Sequence, residues 1–453
     1  MFHIDDDKVS GLLFSGNFGM EKEGLRITTD GYLSHTKHPF DPHHPNITRD
    51  FCENQTEINT PVCKSAEEVV ESLNKLTCSI QQRLLRLDEK ELWWPFSNPP
   101  YILSEEDIPV AQFSGDEANK TTYRNYLSQR YGRYKMTYSG IHFNYSFSGD
   151  LLRRNYEVES GITIRKGEET AEYQQYVDRI YLDLAERLVE YGWIMNVLTA
   201  ASPVMDNSFF ELGRTGGGVF TGMGSPRCSE IGYWNSFAPL LDYTNIQAYA
   251  DSIQWYVDRG LIRQPSELYY PVRLKPKGEN TLQTLRDKGV NHIELRMIDL
   301  NPLCKEGIDL RDVKFAQLLL LWLASKPTRH LTADDQVQAV QNFKNASHYN
   351  LHTAHILMPD GTSPTVSEAA MGILRKMQTF FEKVTPSLPP RGEEKSLPDT
   401  NEIGEILEYQ KLKITDSHNY RYTHIIRREF SDDFVKKGLE LCANYSALAA
   451  AKG

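Results

Sequence analysis

The chain of 453 residues is 40% hydrophobic and 25% charged, the composition of a globular protein long enough for one large domain or two to three ordinary ones. Its formal net charge of -11 argues against a nucleic-acid-binding or anionic-membrane surface, so local cations or metal ions must meet any anionic substrate. The cysteines lack zinc-type spacing, no signal-peptide pattern is apparent and no apolar run could span a bilayer, which together predict a soluble cytoplasmic protein.

The first informative element is the stretch 19–27, where two carboxylates stand just before an alternating apolar run. An extended strand points Glu21 and Glu23 to the same side, roughly 6–7 Å apart. Like charges this close repel unless a cation lies between them. The pair is therefore either half of a metal site or two exposed glutamates on a solvated edge strand, and on its own it is more typical of the strand.

A second acidic group follows at residues 50–61. Asp50 and Glu57 are seven residues apart, which places them on one face of a helix, and a turn within residues 53–56 would also bring them together. We interpret the nearby Cys52 and Cys63 as bystanders, because a carboxylate-rich set suits Mg²⁺ or Mn²⁺ better than thiolates do.

A helix and a strand come next along the chain. Ser65 and Glu68 match a capping box, and apolar residues at helical spacing predict a helix that continues to residue 87. Residues 139–147 alternate as a strand, with apolar side chains on one side and His142 among the polar residues of the other. Taken alone, His142 is more typical of a satisfied core histidine than of a metal ligand.

Another helix is predicted over residues 172–191, and a glycine-rich stretch follows at 213–224. The Gly-Lys-Ser/Thr of a phosphate-binding P-loop is absent. The glycines therefore predict either a mobile loop that covers a substrate or a plain flexible connection. Just after them, Arg227 and Tyr233 are candidates for binding a carboxylate.

Two further strands carry charged residues on one face. Residues 270–275 place Arg273 beside Lys275, an arrangement suited to gripping phosphate oxygens, and residues 291–298 place Glu294 beside Arg296. Long irregular insertions separate the strands, which favours an α+β fold with a mainly antiparallel sheet over a doubly wound parallel one. The remaining predicted elements are helices over 313–325, 366–384 and 432–451 and an exposed loop over 387–400.

Taken together, these segments resemble the bacterial type of glutamate–cysteine ligase, also called γ-glutamylcysteine synthetase, which forms the N-terminal module of bifunctional glutathione synthases. The matching segments occur in order over roughly residues 14–330; they are 19–26, 50–61, 94–101, 123–124, 130–132, 139–144, 201–203, 227–233, 267–269, 293–296 and 299–302. Beyond this core the resemblance is mostly one of helical pattern. We therefore expect a single catalytic domain over 1–453, with a helical C-terminal part from about 331.

The resemblance implies a role for each matched position. The residues that fall where the family holds Mg²⁺ (or Mn²⁺) around the ATP phosphates are Glu21, Glu23, Asp50, Glu57, His142 and Glu294. Arg296 falls where an arginine meets the transferred phosphoryl group, so Arg296, Glu21 and Glu294 are the candidate catalytic residues. The candidates for the acceptor amino-acid pocket are Tyr123, Arg124, Arg227, Tyr233 and Tyr269. His142 is then interpreted as a ligand, since five carboxylates would share its site.

The resemblance also implies a fold and a reaction. The fold is a curved, mainly antiparallel sheet with flanking helices, similar to glutamine synthetase and guanidino kinases. ATP phosphorylates the γ-carboxylate of L-glutamate, and the amine of L-cysteine then displaces phosphate to give γ-glutamylcysteine. Such chemistry needs neutralisation of charge more than covalent help. Small molecules, and neither nucleic acid nor membrane, are the expected partners.

Two positions depart from the family pattern, and both could reshape the acceptor pocket. Cys52 stands where a small residue is usual, and Tyr138 stands where an aliphatic residue is common. A γ-glutamyl ligase for another small amine therefore remains an alternative, as does a guanidino-type phosphotransferase on a related sheet. No ATP-grasp module follows, so we do not expect the chain to make glutathione by itself.

Overall fold

The computed structural model describes residues 1–211, 213–384 and 400–451. The strands are β1 (Gly16–Thr28), β2 (Ile47–Arg49), β3 (Gln55–Asn59), β4 (Glu91–Trp93), β5 (Gly140–Phe147), β6 (Val204–Asp206), β7 (Gly218–Phe220), β8 (Val272–Lys275) and β9 (His292–Asp299). The helices are α1 (Asp7–Leu12), α2 (Ala66–Leu85), α3 (Ala118–Tyr131), α4 (Gly149–Ser160), α5 (Ala171–Tyr191), α6 (Trp193–Thr199), α7 (Ile246–Asp258), α8 (Leu282–Lys288), α9 (Leu310–Ala324), α10 (Ala333–Ala346), α11 (Val366–Val384), α12 (Thr400–Thr415), α13 (Ser417–Tyr420), α14 (Tyr422–Phe430) and α15 (Phe434–Ala450).

The main sheet has seven strands within the described residues, and it confirms the predicted α+β class. Its order is β2-β3-β1-β5-β9-β8, and β4 pairs with the end of the long strand β1. Every pairing in this sheet is antiparallel. Strands far apart in the chain thus become neighbours at the centre, which brings β1, β5 and β9 side by side.

The two faces of the central strands differ as the alternation of β5 predicts. Its apolar residues Ile141, Phe143, Tyr145 and Phe147 are buried in the largest core, together with residues of α5, α6 and α9. Polar side chains occupy the opposite face. The pairing of β5 with β9 shifts register between Ile141 and Phe143, where two residues of β9, Arg296 and Met297, lie opposite His142 alone.

The predicted long helices are confirmed to within a few residues at their ends. The side chain of Ser65 accepts a hydrogen bond from the backbone N–H of Glu68, which caps α2. The side chain of Thr170 caps α5 in the same way. Of the loop predicted over residues 387–400, positions 387–399 lie outside the described residues, and residue 400 begins α12.

A second core joins the C-terminal helices to the segment after β4. Phe434 of α15 packs edge-on against Trp94 and Phe96, with ring centroids 5.5 and 4.9 Å apart. Phe430 of α14 contacts Phe96 at 5.1 Å. Gly438 lies so close to Trp94 that a Cβ there would stand 2.2 Å from the indole.

The glycine-rich stretch forms a small structure of its own. β6 and β7 pair as a two-stranded sheet, and Gly216 and Gly217 between them have positive φ values of 93° and 85°. None of the glycines in this stretch lines the cavity described below. Among the described residues, no helix has the length and apolar character needed to cross a membrane.

Candidate functional site

The acidic residues of β1 meet partners on both neighbouring strands. Glu23 lies directly opposite Glu57 of β3, and Glu21 lies opposite His142 of β5. Nδ1 of His142 lies 2.8 Å from Oε2 of Glu21, and Nε2 of His142 lies 3.8 Å from Oε1 of Glu23. The sheet therefore turns the E-x-E pair of β1 into a cluster of four ionisable groups.

Asp50 joins this cluster through a turn between β2 and β3, the second of the two conformations considered from the sequence. The backbone N–H of Asp50 donates to the carbonyl of Gln55, and Thr48 pairs with Glu57 across the hairpin. Asp50 follows Thr48 by two residues and thus shares its face of the strand. The turn therefore places Asp50 near Glu57 and Glu23, whose pKa values its charge raises.

β9 and β8 supply Glu294 and the cations around it. Oε1 of Glu294 lies 3.1 Å from Arg296 and 3.4 Å from Nζ of Lys275. Arg273 lies opposite Glu294 in the strand pairing. The predicted same-face pairs thus converge on one fully buried carboxylate.

The charges of the site fall into two groups. Burial and the charge of Asp50 raise the pKa of Glu23 to about 8, and burial together with Asp50 and Glu21 raises that of Glu57 well above its ordinary value. Burial works against ionisation of Glu294, but Arg296 and Lys275 hold its pKa well below the usual range. One side of the site is therefore crowded with carboxyl groups that resist ionisation, and on the other side nearby cations neutralise the carboxylate.

His142 stands between these two groups as a neutral imidazole. Burial lowers its pKa first, the adjacent Arg296 lowers it further, and the hydrogen bond with Glu21 opposes them. Burial and Glu294 oppose ionisation of Glu21, yet its contact with His142 leaves the pKa of Glu21 below its ordinary value. A neutral imidazole beside an ionised carboxylate is the form in which both groups bind metals.

The residues present fit a divalent cation. One potential ligand atom from each of Glu21, His142 and Glu294 lies within 4.8 Å of the other two. Oε2 of Glu294 is buried and accepts no hydrogen bond within the described part of the protein, although buried carboxylate oxygens normally have a partner. A donor set rich in carboxylate oxygen suits Mg²⁺ or Mn²⁺.

A cavity of about 390 Å³ connects this cluster to a group of aromatic residues. Of the predicted residues, those that line it are Glu21, Glu23, Asp50, Glu57, Tyr123, Arg124, His142, Arg227, Tyr233, Tyr269, Arg273 and Arg296. Glu294 and Lys275 do not line it themselves, but both contact the same cluster. The hydroxyl groups of Tyr233 and Tyr269 are hydrogen-bonded at 2.6 Å, and burial raises the pKa of both phenols.

The predicted arginines of the cavity differ in how they are held. Both terminal nitrogens of Arg227 donate to the backbone carbonyl of Arg296, and Nη2 also donates to that of Ile298. Nη2 of Arg273 donates to the backbone carbonyls of residues 266 and 268. Arg124 is anchored through Nε, which donates to the carbonyl of Asp50. Arg227 and Arg273 therefore brace the walls as well as lining them.

The sequence did not point to several other residues of the cavity. Phe51, Leu127 and Met136 supply apolar lining, and Lys120 and Lys135 supply further cations. Of the two departures from the family pattern, Tyr138 lines the cavity, whereas Cys52 is fully buried and does not. Phe51 lies beside Asp50, Leu127 lies on the polar helix α3, and Met136 lies in the short segment between α3 and β5, so none of the three carries a signal of its own.

The fold and the site define an α+β protein that carries clustered carboxylates and cations on one face of an antiparallel sheet. Within that class, the chain belongs to the glutamate–cysteine ligase family. The family model for glutamate-cysteine ligase matches residues 1–261 and 238–346. A glutamate–cysteine ligase of Clostridium acetobutylicum is 32% identical over 393 residues, which cover 76% of this chain and 79% of that protein.

Longer relatives and solved structures agree with this assignment. The glutathione biosynthesis bifunctional protein GshAB of Listeria monocytogenes is 36% identical over 392 residues, which cover 84% of this chain and 50% of that protein. The chain thus spans about half the length of the first bifunctional relatives it matches. A bifunctional glutathione synthetase from Pasteurella multocida superposes with a TM-score of 0.79 and 26% identity, covering 99% of this chain and 54% of that one. A glutamate–cysteine ligase from Francisella tularensis, solved with AMP, shares the fold at 22% identity with a TM-score of 0.81, covering 96% and 89% of the two chains.

Proposed function

We propose that the protein joins the γ-carboxylate of L-glutamate to the amine of L-cysteine at the expense of ATP, giving γ-glutamylcysteine, ADP and phosphate. The observation that carries the proposal is the single cavity that joins the carboxylate–histidine cluster, Arg296 and the tyrosines. A ligase of this kind must hold a polyanion and two amino acids together, and this cavity offers groups for each. Membership of the glutamate–cysteine ligase family supports the same reaction.

Mg²⁺, or Mn²⁺ in its place, is the proposed metal. Glu21, His142 and Glu294 would hold one ion, and Glu23, Asp50 and Glu57 would hold another, because their carboxylates crowd together and face the cavity. When bound, the metal supplies neutralisation of the charge on the ATP phosphates. The raised pKa values of Glu23 and Glu57 support this proposal, because a bound cation would supply the positive charge that these crowded carboxyl groups need in order to ionise.

The side chains of the protein then have distinct tasks. Arg296 presents a permanent positive charge to the phosphoryl group in transfer, and its pKa is raised by Glu294 despite burial. Arg273 and Lys275 extend this positive region along β8. Arg124 lies on the cavity wall, where its guanidinium would bind the carboxylate of an amino acid. Tyr123, Tyr233 and Tyr269 would enclose the acceptor and orient its amine.

The proposal includes the wider expectations drawn from the resemblance. These are a single catalytic domain, a sheet related to those of glutamine synthetase and the guanidino kinases, and a place in the cytoplasm. All six cysteines are free thiols, which supports a reducing compartment. The proposed partners are small molecules: ATP, L-glutamate and L-cysteine.

The test is incubation of the purified protein with ATP, Mg²⁺, L-glutamate and an acceptor, followed by measurement of ADP, free phosphate and the dipeptide. We expect ADP release that depends on cysteine and a product with the mass of γ-glutamylcysteine. If another small amine in a panel of acceptors reacts faster than cysteine, that amine and not cysteine is the substrate. ADP release without free phosphate would instead indicate a phosphotransferase.

A further inference from the structure

Behind the tyrosines of the cavity lies a carboxylate that the proposed reaction does not use. Glu267 is fully buried, and it does not line the cavity. Burying a charged carboxylate costs free energy unless partners surround it, and a well-packed apolar residue would often serve stability equally well. The position of Glu267 therefore points to a role in orienting its neighbours.

The partners of Glu267 come from α3 and from the segment before β8. Its Oε1 accepts a hydrogen bond from the hydroxyl of Tyr131 at 2.8 Å and lies 3.2 Å from Nε of Arg130. Its Oε2 accepts the backbone N–H of Arg263 at 2.6 Å. One carboxylate oxygen thus contacts α3, and the other binds the backbone of the segment that contains Glu267 itself. The side chain therefore connects α3 to this segment.

Tyr131 passes this connection on to the cavity wall. Its ring packs edge-on against Tyr233 and Tyr269, with centroids 6.1 and 5.5 Å away. Tyr131 does not line the cavity, whereas Tyr233 and Tyr269 do. The hydrogen bond to Glu267 therefore fixes the position of the Tyr131 ring, which packs behind Tyr233 and Tyr269.

The main chain of Glu267 reaches the same pair by a second route. Its carbonyl accepts a hydrogen bond from Nδ2 of Asn235 at 2.9 Å, and Oδ1 of Asn235 accepts the backbone N–H of Tyr269 at 2.8 Å. The side chain of one residue supports Tyr131, and its backbone supports Tyr269. No group of Glu267 reaches the carboxylate cluster or Arg296 by any contact within the described residues.

We propose that Glu267 is a positioning residue, which holds Tyr131 against Tyr233 and Tyr269 and so fixes the wall of the cavity that receives the acceptor amino acid. The inference deepens the proposed function and rests on it for the identity of the acceptor. Its specific consequence is that Glu267 controls binding of the acceptor and leaves binding of ATP and glutamate unchanged.

The test compares Glu267→Gln, Tyr131→Phe and the double variant in steady-state kinetics. Gln removes the negative charge beside Arg130. Its amide has a single acceptor oxygen, so it cannot accept hydrogen bonds from both the hydroxyl of Tyr131 and the backbone N–H of Arg263 as the two carboxylate oxygens do. We expect each single variant to raise KM for cysteine about tenfold and to change KM for ATP and for glutamate less than about twofold. Because both changes break the contact between Glu267 and Tyr131, their effects on KM for cysteine are expected to be less than additive in the double variant.

Glu186→Gln is the matched control. Glu186 is also a buried carboxylate that accepts a backbone N–H, from Leu331 at 2.6 Å, but it contacts His330 and no residue of the cavity. Its loss is expected to lower the unfolding temperature without a selective change in KM for cysteine. A structural effect alone would make Glu267→Gln resemble this control, and that result would overturn the inference.

A second measurement separates this inference from the proposed function. A wild-type protein without cysteine-dependent release of ADP would overturn the proposed reaction. The position of the Tyr131 ring in a crystal structure of Glu267→Gln tests the inference independently of any activity. A ring that stays against Tyr233 and Tyr269 would overturn the positioning role, and Tyr131→Phe provides the kinetic test if Glu267→Gln fails to fold.

Discussion

Gly140 and Arg227 fit together so closely that a side chain on the glycine would overlap the guanidinium group. A Cβ built on Gly140 would lie 2.0 Å from Nη2 of Arg227. The guanidinium lies over the start of β5 and donates to backbone carbonyls of β9. The backbone N–H of Gly140 donates in turn to Oε2 of Glu23 at 3.0 Å. Gly140 therefore links Arg227 of the cavity wall to Glu23 of the acidic cluster.

The first prediction follows from this fit. Gly140→Ala must displace Arg227 or β5, and we expect it to lower the free energy of unfolding by about 1–3 kcal/mol, as overpacking does, and to reduce activity. Chemical denaturation gives the first quantity. Gly372→Ala is the control, because Gly372 lies in the interior of helix α11 and nothing lies within 4 Å of its added Cβ. That variant is expected to gain about 0.5–1 kcal/mol. Equal stability of the two variants would contradict the packing described for Arg227.

The second prediction concerns Arg296. Arg296→Lys keeps the charge but loses the planar fork beside Glu294, so kcat is expected to fall about a hundredfold. Arg286→Lys is the matched control, since Arg286 of α8 does not line the cavity and pairs with the exposed Asp251 of α7. Rates from an ADP-release assay within a factor of about two of wild type are expected for this control. Similar rates for both variants would remove Arg296 from the reaction.

The third prediction concerns the stability of the metal-free protein as a function of pH. The folded-state pKa of Glu23 is about 8 and that of Glu57 is also raised, so between the unfolded value of 4.5 and these values the folded state binds more protons than the unfolded state. Stability from these two groups is complete below pH 4.5 and is lost as pH rises through their folded pKa values. The lowered pKa values of Glu21 and Glu294 act in the opposite sense, below about pH 4.5.

Thermal unfolding with a chelator, from about pH 5.5 to pH 8.5, checks this sign. We expect the unfolding temperature to fall as pH rises and the slope to decrease in Glu23→Gln. Addition of Mg²⁺ or Mn²⁺ is expected to raise the unfolding temperature most at the alkaline end, where both carboxylates are ionised. An unfolding temperature that rises with pH in the chelated protein would contradict the crowding of the carboxylates.

The fourth prediction concerns Tyr138. Its hydroxyl is buried and has no hydrogen-bond partner within the described part of the chain, while its ring lines the cavity and contacts Phe209. Tyr138→Phe is therefore expected to leave cysteine-dependent activity unchanged and to match or exceed the wild-type stability by about 1 kcal/mol. Tyr138→Ala removes the ring as well, so it should enlarge the cavity and admit larger acceptor amino acids. A large loss of activity in Tyr138→Phe would show that the hydroxyl contacts a substrate.

The strands β1, β5, β8 and β9 and their faces were predictable because alternation is a local property of sequence, whereas the short strands β2, β3, β4, β6 and β7 were not predicted. β5 shows this best, since its four apolar residues and its polar face were read from residues 139–147 alone. The pairing of Glu23 with Glu57 was not predictable in this way, because register across β1 and β3 depends on the whole sheet. The turn after Asp50 was one of two open possibilities for the same reason.

Other parts of the site have no local signal. The shift of register opposite His142 adds its extra residue to β9 and so leaves no mark in the alternation of β5, and the helix α3 is mostly polar, with Leu127 its buried residue. Glu267 looks like any surface glutamate in the sequence, although the folded chain buries it completely. The metal and substrate roles were assigned from the family resemblance, and they stay predictions that the variants above can test.

The close contact of Gly438 with Trp94 fixes the C-terminal helices against the segment that follows β4. The match to the family model ends at residue 346, yet α14 and α15 fill the core beside β4, which pairs with the strand that carries Glu21 and Glu23. A protein shortened at that boundary would expose Trp94 and Phe96 to water and lose the support of β1. We therefore expect the C-terminal helices to be required for holding Glu21 and Glu23 in place, although neither α14 nor α15 contributes a residue to the lining of the cavity.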